Sequence, residues 1–122
     1  MQVTLVSLDS NTPGCQLSLE RAPIRIGRHP HLDVSLDDQG VSDFHCQLGQ
    51  INGVLWVRDL GSENGTYVNG FHVVQSHLLP GDELRVGTAN FQVFYPRTPA
   101  HQAEDQEREM TLAASSRPLA AD

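Results

Sequence analysis

The sequence predicts an all-β domain, a sandwich or barrel of short strands, on three observations. Apolar residues recur at every second position, turn residues separate the apolar runs, and the first 95 residues contain no convincing amphipathic helix. Successive side chains of a strand point to opposite faces, so period-two alternation marks strands buried on one side.

The alternation begins in VTLVSL (residues 3–8) and continues in CQLSL (15–19), IRI (24–26), DVSL (33–36) and FHCQLGQI (44–51). It resumes in VLWVRDL (54–60), TYV (66–68), FHVV (71–74), ELRV (83–86) and FQVFY (91–95). Each run is expected to be a strand. Between them stand Thr12-Pro13-Gly14, Asn52-Gly53, Asn69-Gly70 and Pro80-Gly81-Asp82, where Gly and Asn tolerate the positive φ of tight hairpin turns. Composition shifts at Pro96. Residues 97–122 are rich in Ala, Glu, Gln, Ser and Pro, and are expected to form a flexible, disordered C-terminal tail or linker behind a domain spanning 1–96. The stretch AEDQEREMTLAA holds good helix formers but is too short for a stable isolated helix.

A length of 122 residues suits one domain with a tail. The formal net charge of −7 argues against nucleic acid or an anionic membrane as the main partner, since both call for a basic surface. Any anion site must be local. All eight basic residues are Arg, whose planar fork suits bidentate contact with phosphate. Cys15 and Cys46 sit on expected strands without CxxC or zinc-knuckle spacing, and are expected to be buried free thiols. The N-terminal MQVTLVSLDS has no basic n-region, and no window approaches the ~20 apolar residues of a membrane span, which points to a cytoplasmic protein.

Enzyme signatures do not emerge. There is no P-loop, no nucleophile elbow, and no Ser, His and carboxylate set outside the loops considered next. His29 and His31 with Asp33 have ligand-like spacing, but no second cluster completes a metal site, so surface histidines are expected, and neither a metal nor another cofactor. Asn64-Gly65-Thr66 matches a glycosylation sequon, a coincidence where no secretory signal accompanies it.

Three loops carry the functional signal: Gly27-Arg28, then Val41-Ser42-Asp43-Phe44-His45, then Gly61-Ser62-Glu63-Asn64-Gly65-Thr66. Their order and spacing resemble the forkhead-associated (FHA) family. Its members show Gly-Arg, then Ser-x-x-His, then Asn-Gly-Thr, then a second Asn-Gly, here Asn69-Gly70. The resemblance covers about residues 1–96 and extends to Asp37-Asp38 and to LLPGDELRVG (78–87). It implies a β-sandwich of about eleven strands whose loops at one end bind a phosphothreonine-containing protein or peptide, a substrate or partner of a Ser/Thr kinase. The module would act as a monomer in signalling.

By that resemblance Arg28 makes a charge-assisted contact to the phosphate, and the Ser42 hydroxyl with nearby backbone N–H groups supplies further donors. The alternative for Arg28 is a solvated surface arginine. Asn64 would hydrogen-bond the backbone of the bound peptide, the alternative being a turn Asn chosen for positive φ. Gly27, Gly65, Thr66, Asn69 and Gly70 would support the loops, with Asn69 serving its turn. His45 would be a buried organiser whose ring ties the Arg and Ser loops together. A small pocket for the threonine methyl would favour phosphothreonine over phosphoserine by ~1 kcal/mol.

The chain departs from the family at two places. Members often carry a basic or polar residue after the Ser, and Ser or Thr before the Asn-Gly-Thr; here stand Asp43 and Glu63. Each carboxylate would oppose a dianion by about 1 kcal/mol at a wet surface, unless it turns outward or the peptide brings basic flanking residues. The rival reading is an FHA scaffold that binds partners independently of phosphate through a sheet face or edge. A further possibility lies in Thr111, in an acidic context, which once phosphorylated could be bound by the domain itself.

Overall fold

The computed structural model describes residues 1–9, 14–20 and 22–96; the expected tail at 97–122, including Thr111, lies outside the described residues, as do Thr12 and Pro13. Eleven strands and no helix make up the described chain. They are β1 (Gln2–Ser7), β2 (Cys15–Ser18), β3 (Ile24–Gly27), β4 (Val34–Ser35), β5 (Cys46–Ile51) and β6 (Val54–Asp59). The series continues with β7 (Thr66–Val68), β8 (Phe71–Val73), β9 (Gln75–Leu78), β10 (Glu83–Val86) and β11 (Ala89–Phe94). One sheet has the order β2-β1-β11-β10-β7-β8 and the other β4-β3-β5-β6-β9. The expected sandwich is therefore present, and the β3–β4 pair is parallel.

The alternation explains the core. Val3 and Leu5 of β1, Leu84 and Val86 of β10, and Phe91 and Val93 of β11 turn inward from the six-stranded sheet, and all are fully buried. Ile26, Leu48, Leu55, Val57 and Leu78 answer them from the five-stranded sheet. Tyr95 then pins the two layers together. It follows β11 of one sheet, yet its hydroxyl donates to the Leu78 carbonyl and accepts from the Leu55 N–H at 3.3 Å, both in the other sheet. The turns obey the sequence where it was most explicit. Asn52-Gly53 and Asn69-Gly70 both hold two successive residues at positive φ (52° and 81°, 51° and 86°), the geometry of a tight hairpin. On the outer face of β5, the Trp56 ring lies over Gly49, its register partner, and takes the space a side chain there would need.

Three expectations are corrected. Strand β9 was absent from the apolar runs, because QSHL offers a single inward residue, Leu78, and is held by its backbone ladder against β6. The run FHCQLGQI is not strand from its first residue; pairing starts at Cys46, and Phe44 lies in a loop, 45% exposed. Cys46 is buried as expected, and burial, reinforced by the nearby Asp59 carboxylate and opposed by a Thr66 hydrogen bond, pushes its thiol up to about 12. Cys15 is only half-buried, on β2, which among the described residues is an edge strand with one flank unpaired.

Two measurements check this architecture. Phe91→Ala should destabilise the domain by about 3–5 kcal/mol, read as a lower urea midpoint. In the folded protein a thiol reagent should modify Cys15, half-buried with its thiol pushed up by burial, more slowly than in the unfolded chain, and Cys46 only on unfolding.

Candidate functional site

The three loops singled out in the sequence meet at one end of the sandwich, and backbone hydrogen bonds lace the first to the second. The Arg28 N–H donates to the Ser42 carbonyl at 2.9 Å, His29 N–H to Asp43 at 3.3 Å, and His45 N–H to Ile26 at 2.9 Å. Gly27 makes this closeness possible: a Cβ there would fall 2.1 Å from the Asp43 carbonyl oxygen. No other residue fits.

The His45 ring, fully buried, joins the second loop to the third. Its Nδ1 accepts from the Ser42 N–H at 3.1 Å, and its Nε2 lies 2.9 Å from the Gly65 carbonyl. An amide N–H can only donate and a carbonyl can only accept, so the proton sits on Nε2 and the ring is neutral. The sequence reading had the ring tying the Arg and Ser loops; the backbone performs that link, and the ring reaches the Asn-Gly-Thr loop instead.

Asp59, at the end of β6, organises the third loop, a role the sequence reading missed. Its carboxylate accepts from Gly61 N–H (2.9 Å), Ser62 N–H (3.0 Å), Ser62 Oγ (2.5 Å) and Thr66 Oγ1 (2.7 Å). Burial pushes this carboxyl up, but the hydrogen bonds from Ser62, Thr66 and Gly61 outweigh it and hold the group below its ordinary value. Ser62 Oγ also accepts from Gly65 N–H at 3.0 Å. The signal was an Asp followed two and three residues on by Gly and Ser, the pattern of an Asx turn.

On this frame sit the exposed groups. Ser42 Oγ accepts from the Glu63 N–H at 3.0 Å, which leaves its own proton to donate outward. Asn64 Nδ2 donates to the Gly40 carbonyl at 2.9 Å, and the side chain is otherwise exposed. The backbone N–H groups of Arg28, Ser42 and Glu63 are spent internally, whereas those of Asp43 and Asn64 have no acceptor among the described residues. Arg28 and Asp43 form an ion pair at 3.7 Å through Nε, with side chains 42% and 64% exposed. The far end of the Arg28 fork points to no carboxylate among the described residues.

Asn69 and Gly70 do not join this cluster. They lie at the opposite end of β7 from Thr66, where Asn69 Oδ1 accepts from Glu83 N–H at 2.9 Å and ties the hairpin to β10. His29 and Asp33 have separate partners: His29 Nδ1 accepts from His31 N–H, and Asp33 accepts from Arg25 N–H. No group of three metal-ligating side chains occurs among the described residues. Among them, too, no helix is long and apolar enough to cross a membrane.

The family model for the FHA domain matches residues 24–87, slightly more than half of the chain, and spans all three loops. The chain belongs to the FHA family. The glycogen accumulation regulator GarA of Mycobacterium tuberculosis is 37% identical over 92 residues, covering 75% of this chain and 56% of that protein. The oxoglutarate dehydrogenase inhibitor of Corynebacterium diphtheriae is 40% identical over 74 residues, 61% of this chain and 52% of that protein. The chain thus spans about half the length of these curated relatives. Among solved structures, an FHA domain from a study of phosphothreonine-dependent FHA interactions superimposes with a TM-score of 0.71 at 32% identity, covering 80% of this chain and all of that one. Mycobacterium tuberculosis EmbR in complex with a low-affinity phosphopeptide gives 0.69 at 26% identity, covering 80% of this chain and 25% of that one.

Asp59→Asn should lower stability by about 1–2 kcal/mol at neutral pH, because it weakens the bonds to Gly61, Ser62 and Thr66. The folded-state carboxyl is depressed, so its contribution is fully present above the ordinary carboxylate range, about 4, and is lost as pH falls through the depressed value. Urea midpoints of the two proteins should converge as pH drops below about 4.

Proposed function

We propose that this FHA domain is a phosphothreonine-dependent interaction module rather than an enzyme, gripping a phosphorylated segment of another protein across the loops around Arg28, Ser42 and Asn64. The observation that carries the reading is the convergence of donors. An arginine fork held at one end only, a serine hydroxyl with its proton to give, and two backbone N–H groups without acceptors among the described residues occupy adjoining positions on the bonded loops.

In this reading Arg28 and Ser42 hold the phosphate oxygens and the N–H groups of Asp43 and Asn64 complete the cradle. The side chain of Asn64, anchored through Nδ2 to Gly40, offers its Oδ1 to a peptide N–H. Magnitudes favour the ligand over the internal pair. An exposed ion pair such as Arg28–Asp43 is worth about 0.2–1 kcal/mol, whereas a charge-assisted hydrogen bond to phosphate contributes about 1.5–3 kcal/mol. A phosphate therefore outcompetes Asp43 for the guanidinium.

The relatives lend support, since one is a regulator and another an inhibitor by name, and two structural neighbours concern phosphothreonine or phosphopeptide recognition. The natural ligands are accordingly targets of a Ser/Thr kinase, bound by a monomeric domain without a cofactor. The cytoplasm suits two cysteines that form no disulfide.

Fluorescence anisotropy with phosphothreonine peptides and their unphosphorylated twins tests the reading. The native chain should bind only the phosphorylated class, and Arg28→Ala should lose about tenfold or more in affinity. Equal binding of both classes, or an indifferent Arg28→Ala, would favour a phosphate-independent scaffold instead.

A further inference from the structure

Phosphate binding at this site leaves a charge out of place. Among the described residues Asp43 is the one carboxylate paired with Arg28. Once a phosphate takes the guanidinium, Asp43 loses its cation and faces a dianion. A second exposed residue with a carboxylate, Glu63, is held close by, because its backbone N–H bonds the Oγ of Ser42, the residue before Asp43, at 3.0 Å.

Among the described residues no further cation is paired with Asp43 to make good the loss. The chain has no lysine. Arg25 is turned toward the Phe44 ring, 5.5 Å from its centre, and the neighbouring His29 stacks on that same ring. Asp37 and Asp38 add two more carboxylates to the segment that leads into Ser42, in a chain of formal net charge −7. The missing positive charge has to arrive with the ligand.

We propose that Asp43, with Glu63 beside it, selects phosphothreonine peptides that carry a Lys or Arg within two positions of the phosphorylated residue. Binding is then an exchange of partners: the phosphate takes Arg28, and the ligand's cation takes Asp43. The pairing that existed in the free protein is rebuilt across the interface, so a basic flank removes the repulsion that a neutral flank leaves standing. Both side chains are exposed enough to make the exchange without moving the backbone. The inference rests on the phosphate-binding reading above, and it concerns which phosphopeptides are held.

The test uses three phosphothreonine peptides, with Lys, Ala or Glu flanks, and their unphosphorylated twins. Each is titrated by anisotropy against the native chain, Asp43→Asn, the double variant Asp43→Asn/Glu63→Gln, and Glu83→Gln. Glu83 lies at the far end of β10 and changes net charge by the same unit as Asp43→Asn. Thermal melts confirm that the variants fold. The native chain should prefer the Lys-flanked over the Ala-flanked phosphopeptide about three- to tenfold. The double variant should bring that ratio within about twofold, mainly by binding the Ala- and Glu-flanked peptides more tightly, and Glu83→Gln should keep the native ratio. A native chain indifferent to the flanks, or a double variant that keeps the native ratio, would overturn the proposal and leave phosphate recognition intact. Failure of every phosphopeptide to outbind its twin would sink both.

Discussion

The binding end of this domain depends on one buried imidazole. The His45 ring takes the Ser42 N–H on one nitrogen and gives a proton to the Gly65 carbonyl with the other. Both backbone groups lie in loops; the Gly65 carbonyl has a second donor in the Gly87 N–H at 3.3 Å, but the Ser42 N–H has His45 as its one acceptor among the described residues, and a buried amide left unpaired costs about 1–3 kcal/mol. The two loops cannot separate without stripping the Ser42 N–H of its acceptor and the His45 Nε2–H of the Gly65 carbonyl. Placing Ser42 relative to Asn64 is thus a matter of hydrogen-bond polarity as much as of shape.

The sandwich supplies the surroundings that make such a ring effective. Phe91, Leu84 and their partners across the layers exclude water, and Tyr95 bonds one sheet to the other. Asp59 does for the third loop what His45 does for the second, with a carboxylate in place of an imidazole and four donors in place of one donor and one acceptor. The loops are therefore set before a ligand arrives. Little ordering entropy is left to oppose binding.

Much of this was legible in the sequence, and the parts that were not share a cause. Period-two runs marked ten of the strands and the inward residues because burial on one face imposes that pattern. Asn52-Gly53 and Asn69-Gly70 marked their hairpins because only a few residues accept positive φ. Strand β9 escaped because its place is set by backbone pairing to β6, which leaves little trace in QSHL. Phe44 was misassigned because alternation runs on through FHC although the ladder begins at Cys46. Of the site, the loop motifs and the burial of His45 were readable. The partner of its second nitrogen was not, since that depends on how a loop twenty residues on returns to the ring. Asp59 was passed over inside the run VLWVRDL, and the Arg28–Asp43 pair required the loops to be laid side by side.

The distribution of duties among these loops bears on how such a domain diversifies. Gly27, His45, Asp59 and Thr66 carry the anchoring contacts, and each is tied to several others, so a change at one is felt throughout. Asp43, Phe44 and Glu63 are exposed, and only the backbones of Asp43 and Glu63 take part in the anchoring. Substitution at these tips leaves the chassis standing while altering what it meets. Lineages can therefore drift toward new partners by changing three side chains, with the folding problem already solved beneath them.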